Sequence, residues 1–190
     1  MGDLLFIYKH FMNGVLDSYR GILVQAKYTK GKRRAWKVAT KQFYFLAQWP
    51  IFEIVKPRFN KRYLIKPRAL TWSAYGFVGQ NATRYPIYYS SDRMARHKGG
   101  IPSTKSFTFH VKSDYSWDCS RSFLMKFAQG LVGENLLINQ NTKSLVDDLY
   151  VVMGWKPDPP GEPKWDDVSP KDDEGFGIVE LTVSSEGKES

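Results

Sequence analysis

Asn13-Gly14 sits between two apolar runs, and this dipeptide is favoured in tight hairpin turns because both of its residues tolerate positive φ. The first run is Leu4-Leu5-Phe6-Ile7-Tyr8, with Asp3 just ahead of it. The second, Gly21 to Lys27, reads as a short strand. Two strands joined at Asn13-Gly14 run antiparallel, so Asp3 lies near the start of the first and Gln25 and Lys27 near the end of the second. Side chains alternate across a strand. Ile22, Val24 and Ala26 therefore share one face, and Leu23, Gln25 and Lys27 share the other. This geometry can bring Asp3 close to Gln25.

A lysine two residues from an oxygen-bearing side chain, at the end of an apolar strand, suits metal-assisted phosphodiester cleavage. The oxygen can help hold a divalent cation, and the ammonium can orient a water and offset charge on the attacked phosphate. The plainer alternative is a strand with a polar tip at the surface. A loop dense in cations follows directly: Lys27, Lys30, Lys32, Arg33 and Arg34.

An aspartate, a hairpin and a strand ending in [E/Q]-x-K resemble the PD-(D/E)XK nuclease superfamily. Leu23-Val24-Gln25-Ala26-Lys27 is similar to its Mrr-like restriction endonuclease branch, where glutamine can stand in the glutamate position. Lys41-Gln42-Phe43 resembles the glutamine-bearing helix often found after that motif. The resemblance spans roughly residues 3–50. It implies a restriction-endonuclease-like α/β fold and a Mg²⁺ cofactor. Asp3 and Gln25 would be metal-binding residues, with the carbonyl of Ala26 as a further ligand. Asp3, Gln25 and Lys27 would be the catalytic set, Lys27 orienting the water. The chain departs from the family in two respects. The family core usually has a helix and a strand ahead of the aspartate, which here is residue 3, and Gln25 brings no negative charge to a metal.

The 190 residues suit one domain with a tail, and 42% hydrophobic content supports a sizeable core. The formal charge of +9 conceals a split. Residues 1–110 hold 20 Lys+Arg against 4 Asp+Glu, a balance of +16, whereas residues 111–190 hold 8 against 15, a balance of −7. Clustered cations bind polyanions by displacing condensed counterions. Lys30, Lys32, Arg33, Arg34, Lys37 and Lys41 are the candidate nucleic-acid contacts. Of these, Lys30, Lys32, Arg33 and Arg34 would position the phosphate backbone without reading sequence. The single cysteine, Cys119, excludes an internal disulfide, and no Cys/His spacing suits zinc. A cytoplasmic setting is expected. No stretch reaches the roughly 20 apolar residues that span a bilayer.

Further along, the stripe of Trp36, Ala39, Phe43, Leu46 and Ala47 predicts a helix over 35–49, stopped by Pro50. Gln42 falls at the edge of that stripe. It reads as a solvated glutamine, with a position beside Lys27 as the alternative. Phe52–Val55, Tyr63–Ile65 and Pro86–Tyr89 read as strands, and the aromatics Trp72, Tyr75 and Phe77 as core. Ser90 to Lys105 reads as a solvated basic loop. Phe107 to Val111 alternates as a half-buried strand with His110 pointing away from the core. His10, His97 and His110 have no sequence-local partners and are not assigned roles.

A helix is expected over 119–132, with Phe123, Leu124, Phe127 and Leu131 inward and Asp118 as its cap. Another is expected over 142–153, with Leu145, Leu149, Val152 and Met153 inward, Asn141 as its cap and Gly154 at its end. The expected organisation is a basic α/β domain over 1–154, followed over 155–190 by an acidic, Pro-rich arm and disordered tail. Phe176 to Val183 can add an edge strand, and Ser184 to Ser190 form the tail.

The fold expected is therefore a mixed central sheet flanked by helices. The function expected is a Mg²⁺-dependent DNA endonuclease of restriction or anti-phage defence type, with DNA preferred over RNA as partner. The second reading is a non-catalytic nucleic-acid-binding subunit of a ribonucleoprotein or other large assembly. A homodimer is compatible with either. A third reading is a structural subunit at an anionic membrane surface.

Overall fold

The computed structural model describes residues 3–31, 34–56, 59–65, 72–79, 86–111, 120–152 and 177–186. Strand β1 (Asp3–Met12) and strand β2 (Val15–Thr29) form the hairpin, and Asn13 and Gly14 turn at φ 51° and 76°. Two consecutive positive φ values are what a two-residue hairpin loop needs to match the strand twist. Both strands run longer than their apolar runs, because polar residues toward the turn still pair across the ladder.

After the hairpin come β3 (Ala35–Ala39), α1 (Thr40–Gln48), β4 (Phe52–Lys56), β5 (Phe59–Tyr63) and β6 (Ser73–Gly79). Then follow β7 (Ile87–Ser90), α2 (Ser91–Lys98), β8 (Ser106–His110), α3 (Ser120–Ala128), β9 (Glu134–Asn135), α4 (Gln140–Val152) and β10 (Gly177–Ser185). The central sheet has the order β10-β1-β2-β6-β7, with β9 also paired to β2. β10 runs parallel to β1 and β6 parallel to β2, whereas β1–β2 and β6–β7 are antiparallel. The fold is thus mixed α/β, with a mixed central sheet flanked by helices. β3–β8 and β4–β5 are separate two-stranded antiparallel ribbons.

The two faces of the sheet carry two cores. On one, Leu5, Ile7, Leu23, Tyr75 and Phe77 pack under α1, α2, α4 and the β3–β8 ribbon. On the other, Tyr8, Ile22, Val24 and Ala74 pack against Phe123 and Phe127 of α3. Aromatic residues dominate both: Trp36 lies 5.0 Å from Phe77, and Tyr88 stacks on Phe123 at 4.0 Å. Each such pair adds about 0.5–1.5 kcal/mol beyond the area it buries. Trp72, Tyr75 and Phe77 are buried, as the core reading expects. Gly21 is required where it stands, because a Cβ there would lie 2.9 Å from Trp72 Cζ3.

Several local expectations change. Residues 35–39 are strand rather than helix: Trp36 and Val38 are buried while Lys37 and Ala39 are exposed, a period of two. The helix starts at Thr40 and buries Phe43 and Leu46. The expected basic loop contains α2. Ser90 caps it, its Oγ accepting from the Arg93 N–H at 3.1 Å, and Gly99 closes it in the left-handed region. The strand read at Tyr63–Ile65 lies earlier, at Phe59–Tyr63, paired to β4.

In α3, Phe123 and Phe127 are buried, but Leu124 and the following Leu131 are exposed. The α4 cap is Asn139 rather than Asn141, its Oδ1 accepting from the Thr142 N–H at 3.2 Å. The edge strand extends to Ser185, so Ser184 and Ser185 belong to the sheet. The roles given to Asp118, Met153 and Gly154 lie outside the described residues. Among the described residues, no helix is long and apolar enough to cross a membrane.

Candidate functional site

The ladder between β1 and β2 pairs Asp3 directly with Gln25. Directly opposed residues of an antiparallel pair belong to the same sheet face. Asp3, Gln25 and Lys27 therefore occupy positions on one face, the one covered by α1. On the other side of β2, Gln25 is level with Tyr75 and Lys27 with Phe77 in β6. Lys27 pairs with β6 beyond the last described β1 pair, whereas at Gln25 the motif strand is flanked by both β1 and an aromatic parallel strand. This explains why Gln25 is only 3% exposed.

A third element completes the cluster. Gln42, in the first turn of α1, accepts a hydrogen bond from Lys27 Nζ at 2.7 Å through its Oε1. Its Nε2 donates to Gln25 Oε1. Gln25 Nε2 in turn donates to the carbonyl of Ala26 at 3.3 Å. Lysine can only donate. It therefore fixes the amide oxygen of Gln42 toward itself, which turns the Gln42 NH₂ toward Gln25 and the Gln25 NH₂ toward Ala26. One cation sets the orientation of two amides whose flips would otherwise be ambiguous. Gln42 is half-buried in this network, not the solvated side chain its position on the helical stripe suggests. The reach follows from chain geometry: β3 ends at Ala39, α1 starts at once, and Gln42 falls on the turn facing β2.

The donors described here are oxygens, Gln25 Oε1 and the Ala26 carbonyl; Asp3 is level with Gln25 in the ladder, and its side chain lies outside what the structure describes. Hard oxygen donors suit Mg²⁺. Gln25 Oε1 accepts from Gln42 and the Ala26 carbonyl accepts from Gln25. These oxygens fit the ion in kind, and the sequence supplies one carboxylate residue at the adjoining register position, Asp3. Among the described residues, no group of three or more His, Cys, Asp or Glu side chains is arranged to hold a metal ion.

The expected nucleic-acid contacts spread from this point. Lys30, Arg34, Lys37 and Lys41 are all exposed. Lys32 and Arg33 lie outside the described residues. Lys37 stands on the outward face of β3, one register step from the buried Trp36. Trp36 anchors the strand, donating its Nε1–H to the Val78 carbonyl at 3.0 Å.

Two polar clusters have other work. Lys61 and Tyr63 both donate to Asp148 Oδ2, tying β5 to α4. Burial works to raise the Asp148 pKa, but the hydrogen bonds from Lys61 and Tyr63 outweigh it and hold the carboxyl below its ordinary value. Lys9 pairs with Glu180 at 2.7 Å, and Tyr150 also donates to Glu180. Burial, followed by that hydrogen bond, raises the Tyr150 pKa. Both clusters join elements distant in sequence. His10 has a partner within the hairpin, its Nδ1 lying 3.1 Å from Asp17 Oδ2.

Comparison with protein-family models, with curated proteins and with solved structures finds no match.

Proposed function

We propose that the chain is a Mg²⁺-dependent DNA endonuclease of restriction or anti-phage defence type, acting at Asp3, Gln25 and Lys27. One observation carries this reading. Gln42, from a separate element, meets both motif residues and orders them with respect to each other. A polar tip at the surface has no need of a third side chain that locks an amide and an ammonium together.

Asp3 and Gln25, with the Ala26 carbonyl, would hold the cation, which when bound supplies Lewis-acid stabilisation and acidifies its water. Lys27 carries the charge that offsets the developing negative charge on the attacked phosphate and orients the water. Gln42 is a positioning residue: it holds Lys27 Nζ in place and keeps the Gln25 oxygen, rather than its NH₂, turned toward the helix. Preorganised charge of this kind lowers the barrier more than it tightens ground-state binding.

The test is cleavage of plasmid DNA with Mg²⁺ or Mn²⁺ by wild-type protein and by Lys27→Ala. Metal-dependent cleavage should be lost in the variant while duplex affinity stays within a few-fold. Equal cleavage by both proteins would remove the assignment.

A second reading is a nucleic-acid-binding subunit without catalysis. The buried, uncharged Gln25 in the acidic position favours it. Inactive wild-type protein that still binds duplex would make this the better account.

A further inference from the structure

The β3–β8 ribbon is a built platform that the cleavage chemistry does not use. Its inner row is Trp36, Val38, Phe107 and Phe109, all packed into the core that α1 and α2 share. Its outer row follows from the register: Ala35 opposite His110, Lys37 opposite Thr108, and Ala39 opposite Ser106. Lys37, Thr108 and His110 are exposed. Both ends are pinned by backbone hydrogen bonds, Thr40 N–H to the Lys105 carbonyl at 3.1 Å and Val111 N–H to the Arg34 carbonyl at 3.2 Å. The polar row is therefore held rigidly on the protein. It is also next to the candidate site, since β3 runs straight into the helix that carries Gln42.

The surroundings select the partner. Lys30, Arg34, Lys41 and Lys105 flank the ribbon and are exposed, and residues 30–41 and 101–111 contain no Asp or Glu. The large hydrophobic side chains of the ribbon are not among the exposed ones, so the outer face has little to offer a lipid bilayer or an apolar protein partner. A two-stranded antiparallel ribbon fits the major groove of B-form DNA, whereas the major groove of A-form RNA is too deep and narrow to admit it.

We infer that the β3–β8 ribbon enters the major groove of duplex DNA, with Lys37, Thr108 and His110 facing the base edges. Lys30, Arg34, Lys41 and Lys105 take the flanking phosphates. This rests on the proposal that DNA is the polymer acted on, and it adds two things to it: a groove, and a row of side chains able to read bases rather than only the backbone. Thr108, His110 and Lys105 come from a segment some 70 residues beyond the cationic loop, and only the ribbon pairing brings them alongside Lys37.

The experiment measures binding of the full chain by fluorescence anisotropy at one fixed salt concentration. The probes are a random-sequence DNA duplex, the same duplex with glucosylated hydroxymethylcytosine, whose sugars fill the major groove, and an RNA duplex of equal length. The glucosylated and RNA duplexes should each bind about ten-fold more weakly than plain DNA. The triple variant Lys37→Ala, Thr108→Ala, His110→Ala should lose about ten-fold on plain DNA. Should the triple variant melt early, the single variant Lys37→Ala takes its place, with a loss of a few-fold expected.

Equal binding of plain and glucosylated DNA, or wild-type affinity in the variants, would overturn the ribbon inference and leave the nuclease proposal standing. Failure of wild-type protein to bind any duplex would overturn both.

Discussion

Replacing Gln42 with alanine should destabilise the protein by about 0.5–2.5 kcal/mol, although Gln42 is not itself a core residue. Gln42 supplies the donor to Gln25 Oε1, and Gln25 is 3% exposed. A buried amide oxygen stripped of its donor costs about 1–3 kcal/mol, because water does not replace the lost bond. Lys27 loses its acceptor too, but it is half-buried and can recover hydration, so it adds little. Alanine returns roughly half a kcal/mol through its higher helix propensity. For a chain of this size, each kcal/mol moves the melting midpoint by about 2–4 °C. A fall of about 1–10 °C is expected, read by circular dichroism, with the exposed neighbour Lys41→Ala within about one degree of wild type. A double-mutant cycle with Gln25→Ala should show coupling of about 0.5–3 kcal/mol. If Gln42→Ala melts with wild type, or the two substitutions add without coupling, the network is not a folded-state contact. The orientation argument for Lys27 and Gln25 would then fall with it.

Other perturbations test separate parts of the reasoning. Gly21→Ala should cost about 1–3 kcal/mol by overpacking, since the added methyl would lie 2.9 Å from Trp72 Cζ3, and chemical denaturation would show it as a lower midpoint at unchanged slope. Asp148 has a depressed pKa in the folded protein, so its contribution is present above the ordinary carboxylate pKa of about 4 and is lost as pH falls through the lower folded value. The melting difference between wild type and Asp148→Asn should accordingly be constant above about pH 5 and shrink below about pH 4, and a difference that grows on acidification would refute the assignment. Charge reversal at Lys30, Lys32, Arg33 and Arg34 together should weaken binding of unrelated duplexes equally and flatten the salt dependence, whereas an unchanged slope in a salt titration would place the footprint elsewhere.

The hairpin is legible in the sequence because its determinants are local: Asn13-Gly14 sets the turn, and alternation across Ile22 to Lys27 sets the faces. The boundary between β3 and α1 is not, because Trp36, Ala39 and Phe43 satisfy a helical spacing while Trp36 and Val38 also satisfy a period of two. Core aromatics beneath the strand, Phe77 and Phe109, decide between the two, and they are distant in sequence. Helix α2 has only Met94 as a buried apolar anchor, so its periodicity is faint; the usable signal is its caps, Ser90 and Gly99, with Asp92 in the first turn. Periodicity puts Gln42 on the right helix but with the wrong surroundings. Its partners Gln25 and Lys27 belong to another element, and nothing in the spacing along α1 reports which neighbour the first turn faces. On α3, a stripe of four residues fits the helical period, yet only Phe123 and Phe127 reach the sheet.

The pairing of β10 with β1 has a consequence for how the chain is made. Leu4 is level with Gly177, so the two partners are separated by 177 − 4 = 173 residues. The β1–β2 hairpin can close within microseconds of leaving the ribosome. At ordinary synthesis rates its partner β10 follows only after about 10–30 s. Throughout that interval, the outer edge of the strand that starts at Asp3 presents unpaired backbone donors and acceptors to any extended segment nearby. A nascent chain of this design is exposed to mispairing at that strand while those residues are made, and slowing translation would lengthen the exposure in proportion.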